Sequence, residues 1–382
     1  MNGYPLACEN GSIKKEYLND WQKKEYRETK IEKLITTFED KENYVVDYRL
    51  LKFFLELGAK ITKINRVLEY KQEPFMESYI MKNTQMRAES KNEFEKDFFK
   101  LMNNSVYGKT MEAVRKRINF KILSSEEEAE RLRNHRIRYT VFNENCVGVH
   151  LAKQTVLLNK PIIIGQTVLD QSKWLMIDFH YNTMLKNFNR EDIDLMFTDT
   201  DSLCYHIKGS KDPFVFMKEN SEQFDLANYK GKDVKVTING EQVDMYDGIN
   251  NKVVAKFKNE SISQITEFIG LRSKLYAYIT DDDIEHKKCK GVKSSVVKNE
   301  IKVENYRNTL LSKNNFKVEQ NTFRSVKHQI YTITQSKIAL SCNDDKLHIL
   351  DNFIDTLSIG HYKTSYGQKL QEKYSKINYN FI

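Results

Sequence analysis

The spacing of apolar residues along the chain predicts several helices. In residues 43–57 the apolar side chains recur at helical spacing and Gly58 follows, so we expect an amphipathic helix that ends at this glycine. The same spacing continues further along, in residues 92–107, residues 170–188 and most of residues 298–382. The charged residues 12–42 are expected to form helix and loop.

Alternating or apolar-rich runs predict the strands. The runs expected to form single strands are residues 60–70, 138–150, 155–168 and 265–279. Residues 194–197 and 202–207 flank the acidic turn Asp199-Thr200-Asp201, which predicts a hairpin. Residues 208–258 are polar and are expected to form loop. Because no Gly/Ser-rich linker interrupts the chain, we expect subdomains that pack on one another.

Composition limits the class of protein. A chain of 382 residues can bury a sizeable core, and 30% charged residues with a mean hydropathy of −0.64 are typical of a soluble folded protein. No apolar run approaches the ~20 residues that a membrane span needs, and the first residues lack the apolar core of a signal peptide. Five scattered cysteines without a C-x-x-C pair argue against a disulfide framework or a zinc site. We therefore expect a protein of a reducing, intracellular compartment.

The positive charge is concentrated in one part of the chain. Lys and Arg outnumber Asp and Glu by 61 to 53 overall. Residues 82–121 alone hold ten basic and five acidic side chains, so more than half of the excess lies there. Spread evenly, this charge would be an ordinary solvated surface, but its concentration favours a surface that meets phosphates.

Asp199 and Asp201 place two carboxylates close together at the predicted hairpin tip. Like charges at this spacing repel each other unless a cation neutralises them, and a site of oxygen ligands alone suits Mg²⁺. Two such ions about 4 Å apart can activate a 3′-hydroxyl and stabilise the leaving pyrophosphate. On spacing alone, an ordinary surface turn explains the same two aspartates.

Residues 92–107 carry the end signals of a helix: Asn92 can cap its start, Glu95 can complete a capping box and Gly108 can end it. One narrow face is polar or aromatic and consists of Lys96, Lys100, Asn104 and Tyr107. The opposite face is apolar and is expected to dock on a core; it consists of Phe94, Phe98, Leu101 and Met102. Two ammonium groups, an amide and a phenol suit a nucleoside triphosphate, although such lysines are also typical of a solvated face.

Three strings in the chain resemble motifs of family B DNA polymerases of the protein-primed kind. F-T-D-T-D-S at residues 197–202 resembles motif C, and residues 100–108 match K-x-x-x-N-S-x-Y-G of motif B. K-L-Y at residues 274–276 resembles the K-x-Y motif that holds the primer strand. Motif B precedes motif C here, which is the family's order.

The resemblance implies a role for each matched residue. Asp199 and Asp201 would be the catalytic carboxylates and would bind two Mg²⁺ ions in the palm. Lys96 and Lys100 would contact the phosphates of the incoming dNTP, and Asn104 and Tyr107 would line its pocket. Contacts with DNA are implied for the same motifs and for the basic turn at residues 288–292, namely at Ser105, Gly108, Lys109, Thr200, Ser202, Lys274, Tyr276, Lys288 and Lys290.

The implied fold is an α+β right hand with a partial palm built on an antiparallel sheet, helical fingers and a thumb. The expected parts are residues 1–81 (palm and terminal-protein region), 82–123 (fingers), 124–296 (palm) and 297–382 (thumb). Residues 2–7 and several C-terminal strings, among them residues 327–331, are similar to the Polinton/Maverick subgroup. The implied partners are a DNA primer–template, dNTP and a terminal protein whose hydroxyl serves as the first primer, for which residues 12–79 and 124–161 would make room.

Motif A of the family, D-x-x-S/N-L-Y, supplies the third catalytic carboxylate, and no such string occurs between Met1 and Ile382. We therefore expect the chain to correspond to the C-terminal part of such a polymerase, without its exonuclease domain, from a truncated gene or a mobile-element copy. We expect it to bind DNA without polymerising. The alternative is a non-catalytic DNA-binding remnant of the same ancestor; a nuclease or a reverse transcriptase also uses paired acids, but motif B argues against both.

Overall fold

The computed structural model describes residues 7–209, 211–326 and 329–375. The chain divides into two compact units: unit 1 comprises Met1–Val67, Ser172–Thr322 and Ile333–Ile382, and unit 2 comprises Leu68–Gln171 and Phe323–Thr332. The fold mixes helices with small antiparallel sheets. Within the described ranges no helix is both long and apolar enough to cross a membrane.

Helices occur in both units. They are α1 (Asp20–Glu25), α2 (Tyr48–Glu56), α3 (Glu77–Glu89), α4 (Glu93–Thr110), α5 (Glu126–Arg131), α6 (Ile162–Asp178), α7 (Leu185–Asn187), α8 (Pro213–Glu219), α9 (Ser294–Glu300), α10 (Val303–Ser312) and α11 (Ser365–Ser375). A π-helical segment, Phe179–Met184, joins α6 to α7.

The strands pair mainly as hairpins. They are β1 (Cys8–Gly11), β2 (Lys33–Thr36), β3 (Asn119–Leu123), β4 (Arg136–Asn143), β5 (Cys146–Leu151), β6 (Ile193–Thr198), β7 (Leu203–Ile207), β8 (Lys235–Ile238), β9 (Glu241–Asp244), β10 (Ile265–Arg272), β11 (Leu275–Thr280), β12 (Glu285–Cys289), β13 (Phe316–Val326), β14 (Gln329–Leu340), β15 (Leu347–Ile349) and β16 (Thr356–Ser358). Two sheets have three strands, in the orders β3-β5-β4 and β10-β11-β12.

In unit 1 the beginning of the chain packs against its C-terminal part. The buried side chain of Gln22 donates to the carbonyl of Asp344 at 2.8 Å, and that of Asn19 donates to the carbonyl of Ile349 at 2.7 Å. Asn19 also caps α1, forming a capping box with Gln22. These bonds satisfy polar groups in a region from which water is excluded, so the two ends hold each other in place.

Two hydrophobic clusters of unit 1 support the elements that matter below. One lies under β10, β11 and β12 and includes the fully buried Tyr306 and Leu340. The other lies against the π-helical segment and β6 and includes the fully buried Phe216, Tyr229 and Met245. Each large apolar side chain contributes about 1.5–3 kcal/mol through its burial, so both the acidic hairpin and the three-stranded sheet rest on a fixed base.

Unit 2 contains α3 and α4, which pack together, and the sheet β3-β5-β4. The side chain of Asn103 on α4 lies 3.4 Å from the carbonyl of Ile80 and 3.3 Å from the hydroxyl of Thr84 on α3. One face of the sheet packs on α5. Unit 2 therefore has a core of its own, smaller than those of unit 1.

Several elements predicted from the sequence are confirmed. The acidic hairpin forms from β6 and β7 with its turn at the expected residues. α2 ends as expected before Gly58, and it starts at Tyr48 because the Asp47 side chain caps it there. Asn92 caps α4 by accepting from the backbone N–H of Glu95 at 2.9 Å. Residues 138–150 are extended as predicted, but they form two strands, β4 and β5, which also include Arg136, Ile137 and Leu151.

Two details of α4 are wrong in the prediction. The helix runs through Gly108 and ends at Thr110. The side chain of Glu95 accepts from the backbone N–H of Lys91 at 3.3 Å rather than from that of Asn92, so no capping box closes. A single glycine in a helix whose neighbours pack well costs about 1 kcal/mol and does not by itself end the helix.

Two predicted strands are wrong, and a third predicted strand is divided into two. Residues 60–70 are exposed and take no regular structure, since an alternating run forms a strand only beside a partner. Of residues 155–168, those from Ile162 onward belong to α6, because Pro161 favours a helix start more strongly than the following isoleucines favour a strand. Residues 265–279 form two strands, β10 and β11, with a turn at Lys274.

Two longer segments also differ from expectation. The predicted loop at residues 208–258 holds α8 and the β8–β9 hairpin. The predicted helical tail holds the long strands β13 and β14, in which Val318 is buried between the exposed Lys317 and Glu319, the alternation typical of a strand. Residues 2–6, Lys327 and His328, which the family resemblance uses, lie outside the described residues.

Candidate functional site

The tip of the acidic hairpin is a tight turn. The backbone N–H of Asp199 donates to the carbonyl of Ser202 at 3.0 Å, and the N–H of Ser202 donates back at 3.2 Å. Thr200 has a φ of 59°, a left-handed conformation that is rare for a β-branched residue. The Ser202 hydroxyl lies 3.3 Å from the Asp199 carbonyl. The turn therefore fixes the backbone of both aspartates, with Asp199 half-buried and Asp201 exposed.

Lys274 meets the first of the two carboxylates. Its Nζ lies 2.8 Å from Oδ1 of Asp199, and both side chains are partly exposed. Lys274 occupies the turn between β10 and β11 with a φ of 59°, so the backbone of that turn directs its side chain. The structure thus brings together the acidic turn and the K-x-Y string, which are far apart in sequence.

Tyr276 joins the same cluster through its ring. It stacks on Phe197, which comes just before the acidic turn, with ring centroids 4.5 Å apart and planes inclined by 22°. Phe268 stacks on the same Phe197 ring at 5.7 Å. Stacked aromatic pairs contribute about 0.5–1.5 kcal/mol beyond their burial. The stacking of these three rings packs the acidic hairpin against the β10-β11-β12 sheet.

The two lysines of the predicted basic turn lie at the same edge. Lys288 stands opposite Tyr276 in the register of β11 and β12. The backbone N–H of Lys290 donates to the carbonyl of Lys274 at 3.1 Å. Both lysine side chains are exposed. The structure therefore gathers three ammonium groups, a phenol and two carboxylates at one end of this sheet.

Burial raises the pKa of the Tyr276 hydroxyl, and the negative charges of Asp199 and Glu260 raise it further. Burial raises the pKa of Tyr278 as well, and the charges of Tyr276 and Glu260 add to this effect. Glu260 carries no mark in the sequence, because it lies in an irregular segment outside the matched strings. It is a third acidic side chain close enough to influence this cluster, and only the fold reveals it.

The dNTP-binding residues expected from motif B lie on α4, in unit 2. Lys100, Asn104 and Tyr107 are exposed, whereas the ammonium of Lys96 is paired with Glu93 at 2.6 Å. Lys109, near the end of the helix, is paired with Glu112 at 3.0 Å. The hydroxyl of Ser105 donates to the carbonyl of Met102 at 3.0 Å within the helix, and Gly108 faces open space.

The prediction of which face of α4 docks on a core is wrong. Phe94, Phe98 and Leu101 are 81%, 46% and 62% exposed, and only Met102 of the expected set is partly buried. The residues that α4 buries or half-buries are instead Lys96, Phe99, Met102, Asn103, Val106 and Thr110. This stripe faces α3, where Asn103 forms its polar contacts, so the helix is rotated relative to the predicted orientation.

A buried histidine supports the second strand of the acidic hairpin. His180, in the π-helical segment, lies with Nδ1 3.0 Å from the hydroxyl of Tyr205 on β7, and the two rings are nearly parallel. Burial, with the positive charge of Arg190, lowers the pKa of His180 to about 4. The imidazole is therefore neutral at physiological pH. π-helical segments often occur at functional sites, and this one anchors β7.

Carboxylate oxygens are the ligands that Mg²⁺ prefers, so Asp199 and Asp201 fit this ion in the kind of donor they offer. Within residues 7–209, 211–326 and 329–375 there is no group of three or more His, Cys, Asp or Glu side chains arranged to hold a metal ion. Lys274 supplies the positive charge beside Asp199 in this structure.

Comparison of the chain with protein-family models, with curated proteins and with solved structures gave no match.

Proposed function

We propose that the chain is the palm, fingers and thumb part of a protein-primed family B DNA polymerase, an α+β right hand that binds a primer–template and dNTP. The contact between Lys274 and Asp199 carries this proposal. It joins the strings that resemble the K-x-Y motif and motif C, which would have to adjoin if one holds the primer end and the other reacts with it. A chance resemblance would not require them to meet.

The cluster has the chemistry that a primer end needs. Lys274, Lys288 and Lys290 are point charges suited to the phosphates of the primer strand. Tyr276, fixed by its stacking on Phe197, presents a phenol beside them. Asp199 and Asp201 would hold Mg²⁺, which supplies charge neutralisation for the triphosphate and activation of the primer hydroxyl. On α4, Lys100, Asn104 and Tyr107 would bind dNTP, since they are exposed in a row along one face.

The Lys274–Asp199 pair suggests how the site stays folded while it is empty. Two nearby carboxylates repel each other, and the ammonium offsets part of that repulsion. When a primer phosphate arrives, Lys274 can turn from the carboxylate to the phosphate, because its side chain is 40% exposed. The same lysine would thus serve the empty and the occupied site.

Measurement of primer–template binding tests this proposal. Lys274→Met should weaken the affinity of the purified chain for a fluorescent primer–template about tenfold, as expected for loss of a hydrogen bond to a charged group. Lys232→Met removes an exposed lysine of the same unit, in the loop before β8, and is the matched control. Equal losses in the two variants, or no loss in either, would refute the placement of the primer end at this cluster.

The alternative of a non-catalytic DNA-binding remnant keeps the same binding surface. It is favoured by the three lysines at the sheet edge, which need no metal to bind phosphates. The two proposals differ at α4. A polymerase requires dNTP to crosslink to the Lys100 region in a manner that depends on primer–template, whereas a remnant binds DNA with no such dependence.

A further inference from the structure

A small cleft in unit 1 lies between the segment that precedes β8 and the segment that follows β9. Its volume is about 200 Å³, and its polar lining consists of Asn228, Lys230, Tyr246, Asn251, Lys252 and Lys258. Of the described residues, none that lines the cleft is acidic. The lining therefore brings together three lysines, two amides and a phenol.

Asp225 joins two sides of this cleft. Its carboxylate accepts from the backbone N–H of Ala227 at 3.0 Å and from that of Lys252 at 3.0 Å. Asp225 is buried, and Lys252 has a φ of 59°, so the carboxylate holds a left-handed position of the backbone. Because both of its oxygens are bound to backbone N–H groups, Asp225 stabilises the loop and does not neutralise a lysine side chain.

Asn259 holds the third side of the cleft. Its side-chain amide donates to the hydroxyl of Tyr229 at 2.9 Å, and its backbone carbonyl accepts from the Asn228 side chain at 2.9 Å. Tyr229 is fully buried in the hydrophobic cluster that lies against the π-helical segment. Lys230 directly follows Tyr229, and Lys258 directly precedes Asn259. Both lysines therefore extend from backbone that is anchored to the core.

The three lysines of the lining have no counter-ion. Lys230, Lys252 and Lys258 are exposed, and their side chains form no ion pair or hydrogen bond with any residue in the described part of the chain. By contrast, Lys235 on β8 is paired with Asp233 at 3.1 Å. Positive charges that line the same cleft repel each other, and an anion between them would offset that repulsion.

The acidic residues of the surrounding loops do not supply this anion. Asp244 accepts from the backbone N–H of Tyr246 at 2.8 Å, and Asp247 accepts from that of Ile249 at 2.9 Å. Both carboxylates thus stabilise turns after β9. The glutamates of the region are exposed and lie outside the lining; they are Glu219, Glu222, Glu241 and Glu260.

We propose that this cleft binds a phosphate group, which the ammonium groups of Lys230, Lys252 and Lys258 hold by their charge. Lysines suit a phosphate because they are compact point charges. Pockets for complete small molecules measure roughly 300–1,000 Å³, so a cleft of about 200 Å³ fits one phosphate group better than a whole nucleotide. Inorganic phosphate and a phosphodiester of a nucleic-acid strand both carry this group. The site does not depend on the polymerase proposal.

Protection of lysines from acetylation tests the site directly. The purified full chain would be treated with acetic anhydride, with and without inorganic phosphate at constant ionic strength, and the modified lysines would be quantified by mass spectrometry. We expect phosphate to slow the acetylation of Lys230, Lys252 and Lys258. It should not slow that of Lys298, an exposed lysine on α9 of the same unit.

An oligonucleotide distinguishes the two sources of the phosphate group. Protection by inorganic phosphate shows a site for the free anion, whereas protection only by a single-stranded oligonucleotide with phosphodiester linkages shows a site for a nucleic-acid strand. A methylphosphonate oligonucleotide of the same sequence has no backbone charge and should not protect. Protection by this uncharged strand, or by none of the three probes, would overturn the proposal.

Affinity measurements on variants complete the test. Lys230→Met and Lys258→Met should each weaken the binding of the protecting probe, phosphate or oligonucleotide, about tenfold, as expected for loss of a hydrogen bond to a charged group. Lys258→Arg keeps the charge and should bind more tightly than Lys258→Met. Lys298→Met removes the same charge from α9 and should leave the affinity unchanged. Unchanged affinity in both methionine variants of the cleft with an unchanged circular dichroism spectrum, or an equal loss in Lys298→Met, would contradict a phosphate site here.

Discussion

The ammonium of Lys274 lies 2.8 Å from a carboxylate oxygen of Asp199, and each residue occupies a tight turn of a different hairpin. Stacking of Tyr276 on Phe197 holds the two hairpins together beside this contact. The ion pair therefore does not have to create the arrangement. It adjusts the charge of a site that aromatic packing has already formed.

The ion pair should accordingly contribute little to stability. Its side chains are 40% and 25% exposed, and pairs of this kind contribute about 0–1 kcal/mol. Lys274→Met should lower the free energy of unfolding in urea by no more than that, and combination with Asp199→Asn should restore part of the loss. A loss of several kcal/mol from Lys274→Met alone would mean that the lysine is a structural element and not a mobile ligand for phosphate.

The pKa of Tyr276 should report the charges around it. Burial raises this pKa first, and Asp199 and Glu260 add to the effect, so Asp199→Asn and Glu260→Gln should each lower it. Because the folded pKa lies above the unfolded value, the associated stability is present at neutral pH and is lost as the pH rises through the folded value. Tyrosine labelled with ¹³C at Cζ, with Tyr276→Phe to assign the signal, would show the shift in NMR titrations. Unchanged titration in both variants would place these carboxylates too far away to matter.

His180 should make the chain less stable in mild acid. Its pKa is lowered from 6.5 to about 4 in the folded chain. Between these pH values the unfolded chain therefore binds a proton that the folded chain does not. The stabilising contribution is present above pH 6.5 and is lost as the pH falls towards 4, by roughly 3 kcal/mol in total. The free energy of unfolding, measured across this pH range, should fall more steeply with decreasing pH in the wild type than in His180→Gln. Parallel curves would contradict the burial of a neutral imidazole.

The purified chain should bind a primer–template but should not extend it. Its sequence lacks the string that would supply a third carboxylate, and loss of one metal ligand typically removes most two-metal catalysis. Primer extension would be assayed with Mg²⁺ and all four dNTPs, alongside a binding measurement on the same sample. Extension that Asp201→Asn abolishes would show that another residue of this chain replaces the missing ligand.

Two glycines should respond oppositely to alanine. A Cβ at Gly367 would lie 1.9 Å from the carbonyl oxygen of His361, which is backbone and cannot move aside, so Gly367→Ala should destabilise unit 1 by more than about 2 kcal/mol. A Cβ at Gly108 meets nothing within 4 Å, so Gly108→Ala within α4 should stabilise the helix by about 1 kcal/mol. Thermal unfolding of both variants compares the two effects, and a stable Gly367→Ala protein would be inconsistent with this close contact.

The sequence predicts those parts of the fold that depend on local signals. The acidic hairpin and the cap at Asn92 follow from turn and capping preferences of single residues. The turn at Lys274 does not, because a lysine with a φ of 59° carries no local mark of its left-handed backbone. The orientation of α4 does not follow either, since the face that packs on α3 holds Asn103 with Phe99, Met102 and Val106, whereas Phe94 and Phe98 are exposed.

In the candidate site, too, the sequence predicts single residues but not the contacts between them. Asp199, Lys274 and Tyr276 were each found by a matched string, yet no string predicts that an ion pair and a ring stack join them. Glu260 was missed because its influence on Tyr276 arises from the fold alone. His180 has no partner that sequence spacing could indicate, because Tyr205 reaches it only after β7 has paired.

The pairing of Gln22 with Asp344 and of Asn19 with Ile349 has a consequence for biosynthesis. The ribosome makes the N-terminal segment first, but its partners emerge only when most of the chain has been translated. Ile13 and Tyr17 pack in a cluster with Ile359 and Leu370, and these partners are also translated late. At ordinary translation rates this delay lasts roughly tens of seconds. Unit 2 is almost entirely one continuous stretch and can fold in the meantime, so residues 13–22 should depend on a chaperone for longer than unit 2 does.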